Sequence, residues 1–366
     1  MNQREVIIIG SGPAGLSAAG ILLRAGVHVA MFERSPLIGG QLIKQTHKFF
    51  GSQKQYAKTR GYDIAKKLYR EIEAYQDNFE LHLEATVVAI YPDRVISVYQ
   101  QGIYQKYQAQ AIIIATGASE RLLSFPNNDL PGIYGAGAVQ TLMNLYGVLP
   151  GKNAVMVGSG NIGLIVSYQM MQAGVNVKAV LEAAPNIGGY KVHASKLRRL
   201  GVPIMTQTTV KRAIGTTAIE AIETIRLDEK WQPIEDTETT IPIDTLCISV
   251  GLTPMHQLLS MAGAEMRYIS ELGGCVPHMS STHETSIRNI FACGDVTGIE
   301  EASSAIVEGQ FIGLIVSERL GYALEGYHHL KHECTTELGV LRCGPFGEKI
   351  RLGQQKLKGG SSCSND

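Results

Sequence analysis

A glycine-rich loop near the start of the chain has the residue types and spacing that bind a nucleotide pyrophosphate. It runs Gly10-Ser11-Gly12-Pro13-Ala14-Gly15, and Glu33 follows 18 residues after its last glycine. Gly10 permits a tight turn, Gly12 lets the backbone approach a phosphate, and Gly15 allows a helix to pack closely on a strand. An acid at the position of Glu33 accepts hydrogen bonds from a ribose. The loop therefore predicts a dinucleotide site.

A second loop repeats this pattern in the middle of the chain. Its residues are Gly158, Ser159, Gly160, Asn161, Ile162 and Gly163, and the strand that follows ends at Glu182. NADP sites favour an arginine near this acid to meet the 2′-phosphate, whereas here Ala183 and Ala184 follow it. The second site is therefore predicted to take NAD(H), with another adenine nucleotide or an empty vestigial site as alternatives.

The elements around the two loops are predicted from hydrophobic periodicity. In each case a β-branched strand enters the loop, an Ala/Leu-rich or apolar helix leaves it, and a second strand ends at the acid. Two such βαβ units predict two nucleotide-binding domains with parallel sheets. Further predicted features are a β-meander over residues 81–99, a linker over 126–137, strands within 206–245 and a helix over 302–320.

Composition excludes several classes of function. Lys+Arg and Asp+Glu both number 33 in 366 residues, so no net field attracts nucleic acid or an acidic membrane. The apolar stretch 14–23 is too short to span a membrane, and the first residues lack the pattern of a signal peptide. The protein is predicted to be cytoplasmic, without a nucleic-acid partner or a membrane span.

The six cysteines do not form a CxxC or CxxxxC pair. Cys293 is interpreted as a small buried apolar residue, and thiol–disulfide exchange is not expected. Near the end, His328, His329, His332, Cys334, Cys343 and Cys363 look rich in metal ligands. Their irregular spacing favours a solvated tail over a zinc site, and no metal is predicted.

Three further motifs accompany the first loop. Residues 285–295, ending in Gly294-Asp295, resemble the second FAD signature of flavoproteins with two dinucleotide domains. Residues 112–117, ending in Ala115-Thr116-Gly117, are similar to the strand that closes the first domain beside the cofactor, and 39–41 are similar to the stretch along the flavin. The resemblance implies that Asp295 holds the ribitol. It also implies that the helix starting near Glu301 points at the N1/C2=O edge of the flavin, where a helix N-terminus stabilises negative charge.

These motifs give the predicted site residues. For FAD they are Gly10, Ser11, Gly12, Pro13, Ala14, Gly15, Glu33, Arg34, Gly40, Gln41, Val88, Ala115, Thr116, Gly117, Gly294, Asp295, Glu301, Ala302 and Ser303. For NAD they are Gly158, Gly160, Asn161, Ile162, Gly163, Glu182 and Gly251. Lys44 and His47 are the only catalytic candidates beside the flavin, and a surface role for His47 is the alternative.

The segments 39–51, 125–132 and 188–190 narrow the resemblance. They are similar to the alpha-type flavoprotein subunits of heteromeric amine and imino-acid dehydrogenases, the group of dye-linked L-proline dehydrogenase alpha, opine oxidase A, sarcosine oxidase alpha and hydrogen cyanide synthase B. The resemblance implies that the partner is a second flavoprotein dehydrogenase subunit, or a small electron acceptor, in a homo- or hetero-oligomer. Several members end in a cysteine-rich [2Fe–2S] module whose ligands this chain does not supply.

The predicted fold is therefore α/β, with two Rossmann-like domains and the NAD-type domain inserted into the FAD domain. We expect an FAD-binding domain over residues 1–122 and 253–325, an NAD(P)-binding domain over 123–252, and a C-terminal tail of unknown role over 326–366. The expected function is transfer of hydride or electrons between NAD(H) and FAD. The resemblance implies that the protein does this as a subunit of a heteromeric dehydrogenase of the amine, imino-acid or glycerol-3-phosphate type. The alternatives are a stand-alone flavin dehydrogenase of a small amine or hydroxy compound, and a non-catalytic nucleotide-binding subunit.

Overall fold

The computed structural model describes residues 2–49 and 53–359. The chain divides into two compact units. Unit 1 comprises the described residues up to Ser119 and from Thr253 onward, and unit 2 comprises Glu120–Leu252. Unit 2 is thus inserted in the sequence of unit 1.

The regular elements follow one another in this order. The first part of unit 1 contains β1 (Asn2–Ile9), α1 (Pro13–Arg24), β2 (Val29–Phe32), α2 (Gly61–Glu73), β3 (Phe79–His82), β4 (Thr86–Ile90), β5 (Val95–Gln100) and β6 (Ile103–Ile114), and the short strand β7 (Ala118–Glu120) follows where the chain passes into unit 2. Unit 2 contains β8 (Ile133–Gly135), α3 (Ala136–Tyr146), β9 (Asn153–Val157), α4 (Asn161–Gln172), β10 (Asn176–Glu182), α5 (Lys191–Arg199), β11 (Ile204–Thr206), β12 (Thr208–Ile214), β13 (Ala221–Arg226), β14 (Thr239–Pro242) and β15 (Thr245–Ile248). The short strand β16 (Leu252–Pro254) leads back to unit 1, whose second part contains α6 (Gln257–Met261), β17 (Met266–Ile269), β18 (Gly274–Pro277), β19 (Ile290–Ala292), α7 (Ala302–Arg319), α8 (Tyr327–Leu341) and α9 (Gly344–Gly359).

Unit 1 is built on a seven-stranded sheet of order β3-β2-β1-β6-β5-β4, with β19 also paired to β6. Strand β1 pairs in parallel with β2 and β6, while β4 and β5 form the antiparallel edge. Both faces of β1 are buried: Val6 and Ile8 belong to one hydrophobic cluster, and Ile7 and Ile9 to another. A strand covered on both faces requires an unbroken apolar run, which explains its β-branched sequence.

Unit 2 has a five-stranded sheet of order β11-β10-β9-β15-β8, parallel at each of its pairings. A separate antiparallel sheet, β12-β13-β14, supplies the strands expected within 206–245. The interpretation of residues 126–137 as a linker is wrong, because they lie inside unit 2 and contain the edge strand β8. Its three residues were too few to show periodicity.

The C-terminal region forms two helices where no regular element was predicted. Tyr327, Cys334 and Leu338 of α8 are buried in the same cluster as α7. Ile350 and Leu357 of α9 are buried in a separate small cluster with Ile269, Leu272 and Val276. The interpretation of this region as a solvated tail is therefore wrong for these two helices, whereas Cys363 lies outside the described residues.

No helix in residues 2–49 and 53–359 is long and apolar enough to cross a membrane. Within the same ranges, no group of three or more His, Cys, Asp or Glu side chains is placed to hold a metal ion.

Candidate nucleotide-binding sites

The first loop joins the end of β1 to the start of α1. Gly10 has a φ of +104°, and a β-carbon at Gly10 or Gly15 would overlap a neighbouring carbonyl oxygen. A β-carbon at Gly12 would meet no atom within 4 Å. Helix α1 has Gly12 as its N-cap and no side-chain cap. The space over Gly12 and the uncapped helix N-terminus fit a phosphate group.

Glu33 lies beside this loop at the end of β2. Its Oε2 accepts hydrogen bonds from the Ser11 backbone N (2.9 Å) and from Ser11 Oγ (2.8 Å), and its Oε1 accepts one from the Ser35 N (2.8 Å). The residue is 8% exposed. Because three neutral donors fix the carboxylate, it can accept a ribose hydroxyl with little loss of side-chain entropy.

The second loop reproduces this arrangement. Glu182 Oε2 accepts from the Ser159 N (2.9 Å) and from Ser159 Oγ (2.5 Å), and its Oε1 accepts from the Ala184 N (2.9 Å). Gly158 has a φ of +102°, and Gly160 again leaves open space for a β-carbon. We name the two arrangements the Ser11–Glu33 clamp and the Ser159–Glu182 clamp.

A shared sequence pattern follows both acids. Glu33 begins Glu-x-x-Pro-x-Ile-Gly-Gly, which ends at Gly40, and Glu182 begins the same pattern, which ends at Gly189. The backbone N of Gly39 donates to the Ser11 carbonyl (3.0 Å), and that of Gly189 donates to the Ser159 carbonyl (2.8 Å). Sequence reasoning overlooked this shared spacing. It indicates that Ser11 and Ser159 each accept a hydrogen bond from the segment that follows the acid.

The ends of three strands bring the first loop and the later motifs together. The N of Ala115 donates to the carbonyl of Ile9 (2.9 Å), and the N of Cys293 donates to the carbonyl of Ile114 (3.1 Å). Thr116 Oγ1 donates to the carbonyl of Met255 (2.9 Å), and Gly117 has a φ of +72°. In a parallel sheet these carboxyl ends meet at one edge, where ligands bind.

Asp295 lies in the turn between β19 and α7. The backbone N of Glu300 donates to its Oδ1 (3.3 Å). Burial, with the nearby carboxylates of Glu308 and Glu300, raises the pKa of Asp295 to about 7. Burying this carboxyl in its charged form costs free energy. Hydroxyl groups of a bound ligand would offset that cost by donating hydrogen bonds to it.

Sequence reasoning missed two residues behind this turn. Glu308, on the second turn of α7, accepts a hydrogen bond from the Gly294 N (2.8 Å), and Arg342 donates to Glu308 Oε1 (2.5 Å). Neither residue belongs to a sequence motif. Glu308 is an acid within an apolar helix and Arg342 follows α8, so their pairing can be recognised only when the packing of the helices is known.

The other predicted site residues differ in their exposure and in their contacts. Gly40 packs against Gly12, while Arg34, Gln41 and Val88 are exposed. Lys44 is the last residue of a 3-10 turn over Gly40–Lys44, His47 lies three residues later, and the His47 ring stacks on Phe49 at 5.7 Å between centroids. In unit 2, Ile162 is 40% exposed, Asn161 Oδ1 accepts from the Tyr190 N (2.8 Å), and Gly251 has a φ of +125°. Their roles in binding remain predictions.

The buried cysteines are unsuited to thiol chemistry. Cys247 and Cys293 are 0% exposed, and burial raises the pKa of each thiol well above its usual range. Neither Cys247 nor Cys293 forms a disulfide. This agrees with the interpretation of Cys293 as a small apolar core residue.

The curated proteins that are similar to this chain include subunits of three oxidoreductases. One is a component of opine oxidase from Agrobacterium tumefaciens (strain Ach5), its A subunit, which is 25% identical over 327 residues that cover 85% of this chain and 64% of that protein. The HcnB subunit of hydrogen cyanide synthase from Pseudomonas aeruginosa is 26% identical, covering 86% and 71%. The alpha subunit of sarcosine oxidase from Rhizobium meliloti (strain 1021) is 27% identical, covering 73% and 26%. The predicted resemblance to this group of proteins is confirmed, although the chain spans less than two thirds of the opine oxidase relative.

Two solved structures show the same fold. L-Proline dehydrogenase from P. horikoshii superposes with a TM-score of 0.67 at 22% identity, covering 90% of this chain and 59% of that one. Thioredoxin reductase from T. acidophilum gives 0.69 at 21% identity, covering 87% of this chain and 100% of that one. The predicted α/β fold with two Rossmann-like domains is confirmed.

A family model matches residues 4–309, most of the chain. It describes an oxidoreductase family that uses FAD and pyridine nucleotides, in agreement with the two loops and their acids. The predictions of an FAD-dependent oxidoreductase and of these cofactors are confirmed at this level. The chain belongs to the pyridine nucleotide-disulphide oxidoreductase family.

Proposed function

We propose that the protein transfers hydride or electrons between NAD(H), bound by unit 2, and FAD, bound by unit 1, as one subunit of a heteromeric dehydrogenase of an amine, an imino acid or a glycerol-3-phosphate-like substrate. The observation that carries the nucleotide assignment is the pair of matching clamps. Each places a carboxylate, held by the same three kinds of donor, beside a glycine loop at a helix N-terminus.

The Ser159–Glu182 clamp favours NAD(H) over NADP(H). Its carboxylate accepts hydrogen bonds from a free ribose 2′-hydroxyl but repels a 2′-phosphate, and no arginine follows it in Ala183-Ala184. Since Ser159 and Ala184 supply neutral donors, the negative charge of Glu182 is not cancelled.

FAD, when bound, supplies the redox chemistry. The chain's own residues would bind and orient it. The N-terminus of α1 would hold the pyrophosphate, Glu33 would accept from the adenosine ribose, and Asp295 would accept from the ribitol.

A partner subunit is supported by the relatives' names, since the opine oxidase, hydrogen cyanide synthase and sarcosine oxidase relatives are each named as subunits. Two of these names, opine oxidase and sarcosine oxidase, favour a small amine as the substrate of the assembly. A stand-alone flavin dehydrogenase of a small amine or hydroxy compound is the second candidate function, supported by those two substrate names but not by the word subunit.

One titration separates the candidates. We expect anaerobic addition of NADH to the purified FAD-loaded protein to bleach the visible flavin band, with NADPH needed at much higher concentration. Bleaching by sarcosine, L-proline or an opine in the absence of any partner would favour the stand-alone dehydrogenase. A flavin that keeps its colour with both nucleotides and all three amines would contradict both and leave a non-catalytic nucleotide-binding protein.

A further inference from the structure

A buried cluster of charged side chains lies behind the Gly294–Asp295 turn, and one member comes from the C-terminal helices. The side chains of Glu300 and Arg342 are each 11% exposed, and that of Glu308 is 4% exposed. Arg342 follows the last residue of α8, beyond the part of the chain that the family model matches.

The Arg342 guanidinium bridges two carboxylates. Its Nε donates to Glu300 Oε2 (3.0 Å), and its Nη2 donates to Glu300 Oε1 (2.7 Å) and to Glu308 Oε1 (2.5 Å). The planar fork of arginine suits this two-sided contact, which a lysine ammonium cannot reproduce.

Both glutamates also make hydrogen bonds to the Gly294–Asp295 turn. Glu308 Oε2 accepts from the Gly294 N (2.8 Å), and the backbone N of Glu300 donates to Asp295 Oδ1 (3.3 Å). Gly294 lies against the first turn of α1, because a β-carbon built on it would come within 3.1 Å of the Ala14 β-carbon. The cluster therefore lies directly behind the helix N-terminus that faces the pyrophosphate in the proposed FAD site.

Negative charge is in excess here. Asp295, Glu300 and Glu308 lie close together, and Arg342 pairs with Glu300 and Glu308. Further titratable or charged neighbours are His283, whose pKa is lowered by burial, the Cys293 thiol, whose pKa is raised by burial, and Arg351, which donates to the Arg342 carbonyl. Burial raises the pKa of Glu300 as well. Without Arg342, the charge of these buried acids would be uncompensated at alkaline pH. Asp295 and Glu300, whose pKa values burial raises, would then take up protons as the pH falls.

We propose that Arg342 is a positioning residue for FAD: by pairing with Glu300 and Glu308 behind the Gly294–Asp295 turn, it limits the negative charge that the FAD pyrophosphate meets. The C-terminal helices are thereby a functional part of the cofactor site. The proposal rests on FAD binding in unit 1, and not on NADH as the electron donor.

The test measures the FAD dissociation constant by flavin fluorescence between pH 6 and pH 8. We expect Arg342→Met to weaken FAD binding about tenfold at pH 8, equivalent to ~1.4 kcal/mol, and to recover towards the wild-type value at pH 6. The double variant Arg342→Met/Glu300→Gln restores the charge count and should bind FAD within about threefold of wild type at pH 8.

Arg319→Met is the matched control, because Arg319 also pairs with a glutamate, Glu284, but at the other end of α7. It should leave FAD affinity unchanged at every pH. A purely structural role for Arg342 predicts a loss in Arg342→Met that is independent of pH and that deepens in the double variant, and this result would overturn the proposal.

If Arg342→Met does not fold, Glu300→Gln alone decides. It removes one carboxylate while Glu308 keeps Arg342, so we expect FAD binding at pH 8 at least as tight as in the wild type, and weaker binding contradicts the proposal. A wild-type protein that takes up no FAD would overturn the cofactor site together with this proposal. Bound FAD that NADH does not bleach would contradict only the proposed function.

Discussion

Gly309 of α7 lies against the backbone carbonyl of Ala14 in α1, with no room for a β-carbon between them. The same two helices also meet at Gly313, where a β-carbon would come within 2.9 Å of the Ala18 carbonyl oxygen. Small residues let the helix backbones approach closely, so the first turn of α1 is fixed by α7 as well as by the sheet.

Two glycine-to-alanine substitutions are predicted to change the free energy of unfolding in opposite directions, one at this contact and one away from it. Gly309→Ala should lower the free energy of unfolding by about 1–3 kcal/mol through overpacking. Gly20→Ala, also in a helix but with no atom within 4 Å of its β-carbon, should raise it by about 0.5–1 kcal/mol through helix propensity. Urea denaturation of both variants checks this, and equal changes in the two would contradict the close packing of α1 on α7.

Substituting the acid of either clamp is predicted to weaken the binding of one nucleotide and not of the other. Glu182→Gln should raise the NADH concentration for half-bleaching about tenfold (~1.4 kcal/mol) and leave FAD content unchanged, because a charged acceptor is replaced by a neutral one. Glu33→Gln, its counterpart in unit 1, should lower FAD retention by a similar factor. Isothermal titration with each nucleotide distinguishes them, and loss of FAD in Glu182→Gln would contradict the assignment of that clamp.

The buried carboxyl of Asp295 predicts a pH-dependent stability of the FAD-free protein. Its pKa is raised to about 7 in the folded chain, above the value of about 3.9 expected after unfolding. The native state therefore holds the proton more tightly, and this group's contribution to stability falls as the pH rises from about 4 to about 7. Asp295→Asn should remove that loss, stabilising the FAD-free protein by on the order of 2–4 kcal/mol at pH 8 and much less at pH 5.

Thermal melts of the FAD-free protein at pH 5, 6, 7 and 8 measure this difference. Asp93→Asn is the control, because Asp93 has an exposed side chain in unit 1. Melting temperatures of Asp295→Asn that run parallel to the wild type across the series would show that Asp295 is ionised without penalty.

Burial predicts which thiols react. A maleimide added to the native protein should label Cys343, which is exposed, and should leave Cys293 and Cys247 unmodified until urea unfolds the chain. Peptide mapping by mass spectrometry identifies the labelled sites. Rapid native labelling of Cys293 would contradict its place in the core.

Much of the fold was predictable because its signals are local. The strand at Val6–Ile9, the turn at Gly10 and the acid Glu33 are close in sequence, and their spacing alone predicts a βαβ unit. The three-residue strand β8 is too short to show a period. Helix α2, in contrast, has its buried residues Ile64, Leu68 and Ile72 at helical spacing, a signal that sequence reasoning overlooked. Arg342 and Glu308 are 34 positions apart and meet only through the packing of α8 on α7. Such a contact leaves no pattern in a single sequence.

The packing of α8 and α9 determines at which residue a second protein can be fused to this one without disturbing its core. The family match ends at residue 309, which suggests a boundary soon after α7. A chain cut at residue 325 would expose the surface of α7 that Cys334 and Leu338 cover, and would strip Leu272 of its contacts with α9. A fusion to a partner protein, or a fluorescent tag, therefore belongs after α9.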